Sequence, residues 1–136
     1  MTDATVQNNI LTGQPDKAMN IVLWILQILG AAMFLMAGGN KLAGNEQMVG
    51  MFEAISIGQW FRYLTGGIEV AAAILLLIPR FSGIGALLLI PTMIGAILTH
   101  LFIVGGSHAM PVILLVVMTI IAYGRRDRTL KLLSGE

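Results

Sequence analysis

Three ionisable residues lie within or at the edge of long apolar stretches of this sequence: Lys41, Glu69 and His100. An ionisable side chain inside a membrane segment costs roughly 2.5 to 3.5 kcal/mol on insertion scales, so it is usually retained for a partner or a function. Lysine and histidine can donate hydrogen bonds to a carbonyl group, and a carboxylate can accept a proton. We therefore expect any chemistry of this chain at these three positions.

The composition predicts an integral membrane protein. Hydrophobic residues make up 57% of the 136 residues and charged residues 11%, whereas soluble domains have roughly 45 to 50% and about 25%, respectively. The mean hydropathy is +0.86. A net charge of +1 gives no indication of nucleic acid binding, and the absence of cysteine excludes a thiol or disulfide relay on the protein.

Four apolar runs predict four membrane-spanning helices, which cover residues 19–39, 63–78, 81–104 and 109–123. At about 1.5 Å per residue, the longer runs can cross the hydrocarbon core of roughly 30 Å. Short connections between the later spans force sequential neighbours to pack antiparallel. The predicted fold class is an all-α membrane protein, a four-transmembrane-helix up-down bundle.

The sequence also predicts two departures from four simple spans. Between the first two spans, Met48, Met51, Phe52 and Ile55 recur at offsets of three, four and seven residues, which gives a helix one apolar stripe. This segment is too short and too polar to cross the membrane, so we expect a short interfacial helix. In the third span, Pro91 predicts a kink, because its ring removes a backbone hydrogen bond.

The distribution of Lys and Arg predicts the orientation in the membrane. Four spans place both termini on one side, and six of the eight Lys and Arg residues lie on that side. Both termini are therefore expected in the cytoplasm, with the protein as a multi-pass component of the cell inner (cytoplasmic) membrane. The predicted domains are a polar N-terminal arm (1–18), a four-helix transmembrane domain (19–124) and a basic cytoplasmic tail (125–136).

With this topology, the three ionisable residues fall in the outer half of the membrane. Glu69 is about 10 Å and His100 about 7 Å from the outer surface, and Lys41 ends the first span. The candidate polar cluster or ligand site also includes residues near the same level: Asn40, Thr65 and His108. Two interpretations are open: a structural ion pair between Lys41 and Glu69 that locks the first two helices, or a ligand or proton site.

Metal binding is not predicted at this cluster. His100 and His108 are separated by a loop and only Glu69 adds a good ligand, so the spacing lacks the i, i+3 or i, i+4 pairing of helical metal sites. A haem-attachment motif is also absent from the sequence. Gln27 belongs to the inner half of the first span and is expected to serve a separate purpose.

The sequence around these residues resembles the small four-helix DoxX and DoxX-like proteins. The segments that carry the resemblance are residues 34–42 (FLMAGGNKL), 66–69 (GGIE) and 75–80 (LLLIPR). The family name comes from a subunit associated with a membrane thiosulfate:quinone oxidoreductase, and other members are linked to redox stress or serve as membrane accessory proteins. The motif positions that the resemblance transfers to this chain are Gly38, Lys41, Gly66 and Glu69.

The small size and the lack of a cofactor motif or soluble catalytic domain favour an accessory or assembly subunit of a larger respiratory or other redox membrane complex, without catalytic activity of its own. The alternative is a quinone-interacting redox subunit, in which Lys41 and His100 donate to the quinone and Glu69 accepts a proton. A proton-coupled small-molecule transporter is less favoured, because pairing with Lys41 would prevent Glu69 from carrying protons.

Expected partners are membrane lipid and either other membrane subunits or further copies of this chain. Quinone is the one cofactor implied, and only by the alternative of a quinone-interacting redox subunit.

Overall fold

A computed structural model of the chain describes residues 14–135, and all regular structure in that range is helical. The expectations for residues 1–13 of the N-terminal arm and for residue 136 lie outside the described residues. The α-helices in chain order are α1 (Lys17–Ala43), α2 (Glu46–Ile55), α3 (Gln59–Leu77), α4 (Ser82–Thr99), α5 (Ala109–Gly124) and α6 (Arg126–Leu133). A 3-10 turn (Pro79–Phe81) joins α3 to α4, and a π-helical turn (His100–Val104) follows α4.

Three segments are long and apolar enough to cross a membrane: α1, α3 and the segment Pro79–Val104, which contains α4. Because α1 has 27 residues, it is about 40 Å long, more than the roughly 30 Å hydrocarbon core requires. α5 and α6 qualify as a fourth span only when they are taken together, and they are bent by 61°. The predicted all-helical membrane fold is confirmed, with three or four candidate spans within residues 14–135.

The four longest helices close into a bundle. α1 packs mainly against α3, α3 against α4, and α4 against α5, which returns to contact α1. At one end, Arg125 binds Asn20 at the start of α1, and Arg128 of α6 binds the carbonyl of Pro79 in the α3–α4 turn. We call this the termini end. At the other end, the α2 end, α2 packs against α3 and the π-helical turn.

The bundle buries a small apolar core and exposes a large apolar surface. Phe34, Leu76, Leu89 and Met118 are fully buried between the helices. Many other large apolar side chains point outward, and Phe102 is 79% exposed. Such an exposed apolar surface is far larger than soluble monomers tolerate, and it is the surface that a protein dissolved in lipid presents.

The helices begin and end at positions that local chemistry explains. Asp16 caps α1 by accepting a hydrogen bond of 2.8 Å from the backbone N–H of Met19. Asn45 caps α2 in the same way through Met48, at 2.9 Å. Between them, Gly44 adopts the left-handed conformation (φ 70°) that ends α1.

Two predicted boundaries differ from the structure, and the kink expected at Pro91 stays a prediction. α4 continues as a helix through Pro91 and is followed by the π-helical turn. α3 begins at Gln59 rather than at residue 63, so Arg62 is part of the helix instead of flanking it. Residues 126–133 of the expected tail form α6, whose Thr129 packs so closely on Gly83 of α4 that a Cβ there would overlap its hydroxyl.

The closest approach between α1 and α3 occurs at Gly38 and Gly66. A Cβ on Gly38 would lie 2.8 Å from the carbonyl oxygen of Gly66, and one on Gly66 would lie 2.9 Å from the Cβ of Lys41. Lipid provides no hydrophobic driving force between helices, so close backbone contact through small residues is a main source of their attraction. The two glycines therefore set the spacing of this helix pair.

Gly66→Ala is expected to lower the free energy of unfolding by about 1 to 3 kcal/mol, because it overpacks the crossing. Gly67→Ala is the matched control, since nothing lies within 4 Å of a Cβ at that position. Unfolding of both variants in detergent, followed by circular dichroism, measures the difference. Equal stability of the two alanine variants would show that the crossing is not tightly packed.

Candidate functional site

The ion pair expected between Lys41 and Glu69 is present. Nζ of Lys41 lies 2.7 Å from Oε1 of Glu69, and the two side chains are 15% and 2% exposed. Within residues 14–135 this is the one ion pair. Lys41 follows Gly38 by three residues and Glu69 follows Gly66 by three, so each glycine lies one turn from its charged residue on the same helix face. The close crossing thus brings the two charges together.

A second cation, Arg62, lies at the α2 end of the same helix pair. Its side chain is buried, and its Nη1 donates to the backbone carbonyl of Lys41 at the end of α1. Its Nε donates to Oε1 of Gln59 at 2.8 Å, and its guanidinium lies 4.3 Å from the centre of the Tyr63 ring. Positive charge at a helix C-terminus is favourable because of the helix dipole. Arg62 therefore stabilises the end of α1 that presents Lys41.

The other predicted site residues lie outside this ion pair. Thr65 donates to the carbonyl of Phe61 in its own helix at 2.9 Å. Nδ1 of His100 lies 2.9 Å from the carbonyl oxygen of Gly105, across the π-helical turn. Asn40 and His108 are exposed, and His108 precedes α5 without a side-chain capping bond.

The structure thus brings together Lys41 and Glu69 and leaves the remaining residues of the predicted cluster outside their contact. No hydrogen bond or ion pair among the described residues joins Asn40, Thr65 or either histidine to the pair. In the same part of the chain, no group of three His, Asp or Glu side chains could hold a metal ion. What the site can do chemically therefore rests on one lysine and one carboxylate.

A polar site that the sequence did not predict lies at the termini end, around Arg125. The Arg125 side chain is fully buried. Its Nε donates to Oε1 of Gln27 at 2.7 Å, and its Nη1 donates to Oδ1 of Asn20 at the same distance. Gln27 in turn donates to the carbonyl of Leu76 at 2.7 Å. This network joins α1, α3 and the α5–α6 junction.

The Arg125 network has no carboxylate in it. A guanidinium keeps its charge in proteins, so a full positive charge is buried against neutral amide oxygens and the Trp24 ring, whose centre is 5.6 Å away. Its Nη2 is buried without a hydrogen-bond partner among the described residues. Close packing of Leu23 on Gly124 holds the junction against α1, since a Cβ on Gly124 would lie 2.6 Å from that side chain.

Sequence reasoning missed this network for two reasons. Arg125 was expected in a solvated tail, whereas its partner Gln27 is 98 residues earlier in the chain. The available signal was Gln27 itself, an amide in an apolar span that needs hydrogen-bond partners. Nothing local in the sequence indicates which residue provides them.

The geometry at the α1–α3 crossing agrees with the motif positions that sequence resemblance singled out. The sequence model of the DoxX-like family matches residues 25–122. The chain belongs to the DoxX-like family. No curated protein and no solved structure matches it.

The range matched to the DoxX-like family contains both residues of the ion pair and both glycines of the crossing. It also contains Gln27 but ends before Arg125. The buried arginine of this DoxX-like protein is therefore supplied by a part of the chain that the family match does not cover.

The two charges of the ion pair should be coupled energetically. Removing either partner leaves an uncompensated buried charge, which costs about 3 to 5 kcal/mol. The double variant Lys41→Glu/Glu69→Lys should recover part of the stability that each single variant loses, measured by unfolding in detergent as a double-mutant cycle. Strictly additive losses would show that the residues do not interact.

Arg125→Met should destabilise the bundle strongly, because it leaves the side-chain oxygens of Gln27 and Asn20 without their donor. Each unsatisfied buried polar group costs about 1 to 3 kcal/mol. Arg126→Met removes the neighbouring cation, which contacts Tyr123 at the surface through its carbonyl and its ring, and should have a much smaller effect. If thermal unfolding gave equal losses for both variants, the buried network would not be what stabilises the junction.

Proposed function

We propose that this DoxX-like protein is an accessory or assembly subunit of a larger membrane complex and has no catalytic activity of its own. The observation that carries this proposal is the buried Lys41–Glu69 contact at the glycine crossing. Lys41 and Glu69 neutralise each other, and their contact joins α1 and α3, the two helices that pack against each other most extensively. A contact of this kind fixes the shape of a helical surface that a partner recognises.

The proposed topology has four spans, with α5 as the last, α6 bent away from it along the cytoplasmic surface, and both termini in the cytoplasm. The α2 end carries two cations, Lys41 and Arg62. The termini end carries six: Lys17, Arg80, Arg125, Arg126, Arg128 and Lys131. An excess of Lys and Arg on the cytoplasmic side is the general rule for membrane proteins, and it supports placement of the termini end at the cytoplasmic face of an inner membrane.

The alternative function, binding of quinone in a redox subunit, receives less support from the geometry. It requires Lys41 and His100 as hydrogen-bond donors and Glu69 as the proton acceptor. In the structure, the Lys41 ammonium is engaged by Glu69, and the His100 ring contacts the carbonyl of Gly105 in its own turn. The three groups that the alternative needs are therefore not arranged around one shared ligand position.

The outer surface of the bundle has exposed apolar side chains on which the proposed partners can pack. α1 exposes a row of apolar side chains along its length: Ile21, Ile25, Ile28, Leu29 and Met36. Membrane lipid covers such a surface in isolation, and other membrane subunits or further copies of this chain replace lipid on assembly.

The test is purification of the full-length protein from native membranes in mild detergent, as wild type and as Lys41→Met/Glu69→Met. An apolar pair of similar volume should fold, because replacing a buried ion pair by well-packed hydrophobic residues is often neutral for stability. We expect both proteins to retain the same stoichiometric membrane partners, identified by mass spectrometry. Purification of the wild type without any partner or further copy would contradict the accessory role.

Extraction of bound quinone from the same samples tests the alternative. His100→Phe should lower stability by about 1 kcal/mol through loss of its bond to Gly105, without changing the partners. His108→Phe is the matched control, since that exposed histidine makes no side-chain capping bond. Stoichiometric quinone in the wild type that is lost in His100→Phe, at unchanged stability and assembly, would establish the redox function instead.

A further inference from the structure

A groove of about 260 Å³ opens at the termini end, between the α3–α4 turn and α6. It is lined by Pro79, Arg80, Arg128, Lys131 and Leu132. Three of these five residues are cations, and none of the three forms an ion pair with any residue between 14 and 135. The groove therefore concentrates positive charge that the described part of the chain does not neutralise.

Arg128, one of the lining residues, is held in position by two hydrogen bonds. Its Nη1 donates to the carbonyl of Pro79 at 2.9 Å and to the hydroxyl of Ser82 at 3.4 Å, which links α6 to the α3–α4 turn. Its Nε and Nη2 make no hydrogen bond to the residues that the structure describes. A guanidinium fixed on one side, with donors left on the other, matches the geometry by which arginine binds phosphate oxygens. Arg80 and Lys131 are exposed and add two further cations.

Apolar side chains also line the groove, namely Pro79 of the α3–α4 turn and Leu132 of α6. α6 is bent by 61° from α5, as expected for a short amphipathic helix that lies along a membrane surface rather than across it. A ligand that fits this combination carries a phosphate and hydrocarbon in one molecule.

We propose that this groove binds the phosphate of an anionic phospholipid, with the hydrocarbon of the lipid against Pro79 and Leu132. Basic pockets between membrane helices on the cytoplasmic side are suited to anionic head groups. Apolar walls favour the phospholipid over free phosphate. The site lies at the opposite end of the bundle from the Lys41–Glu69 pair, so it does not depend on the proposed assembly function.

The first experiment needs no variant. The full-length protein in detergent is titrated with phosphatidylglycerol or phosphatidylcholine, and bound lipid is counted by native mass spectrometry. We expect tighter binding of phosphatidylglycerol, with no displacement by millimolar inorganic phosphate. Equal binding of the two lipids would overturn the proposal, and displacement by inorganic phosphate would show a free-phosphate site instead.

The second experiment locates the site. Arg80→Gln/Lys131→Gln removes two exposed cations that line the groove and should weaken phosphatidylglycerol binding by about 25-fold, at about fivefold per cation near an anionic lipid. Lys17→Gln is the matched control, an exposed cation at the same end but outside the groove. An equal loss in both proteins, or no loss in the double variant, would overturn the assignment. If the double variant does not fold, the lipid comparison on the wild type still decides.

Discussion

The rest of this structure depends on the absence of two side chains, at Gly38 and Gly66. Only because neither helix carries a Cβ at the crossing can the backbones of α1 and α3 approach closely enough for van der Waals attraction to act over their length. The same approach places Lys41 beside Glu69. The charged pair is thus a consequence of the glycine crossing, and it also favours this crossing over others, because a shift of one helix would leave two buried charges unpaired.

Polar contacts at the two ends of the bundle complement each other. At the α2 end, Lys41 and Glu69 join the first two long helices of the chain, α1 and α3, and their charges cancel. At the termini end, Arg125 and Gln27 join the first and last long helices through a charge that is dispersed over amide oxygens. Between these ends the core is apolar, and its contacts depend on complementary shape and not on directional hydrogen bonds or ion pairs. In lipid, where apolar surfaces have no preference for each other, such directional contacts determine which helix faces pair.

The contrast between the two polar sites shows what the sequence could predict. Apolar runs and the cost of charge in lipid are enough to predict the long helices and the Lys41–Glu69 pair, but not α6. His100 is assigned to the same cluster as Lys41 and Glu69 only because its predicted depth in the membrane is similar. Depth does not determine where a side chain points, and the His100 ring points toward the carbonyl of Gly105. Arg125 is unpredictable for another reason: a cation just after a span is usually solvated, whereas Arg125 lies at the bend between α5 and α6 and its side chain is buried.

The separation of Gln27 from Arg125 has a consequence for the synthesis of the protein. The two residues are 98 positions apart, so at typical translation rates roughly 5 to 20 s pass between their appearances at the ribosome. Over that time the Gln27 amide lacks its arginine, whereas Lys41 can meet Glu69 as soon as the second long helix has been made. The bundle therefore forms its first polar contact between nascent neighbours and its last only when the final long helix is inserted. During this interval the side-chain oxygen of Gln27 lacks its donor, while its amide N–H can already bind the carbonyl of Leu76.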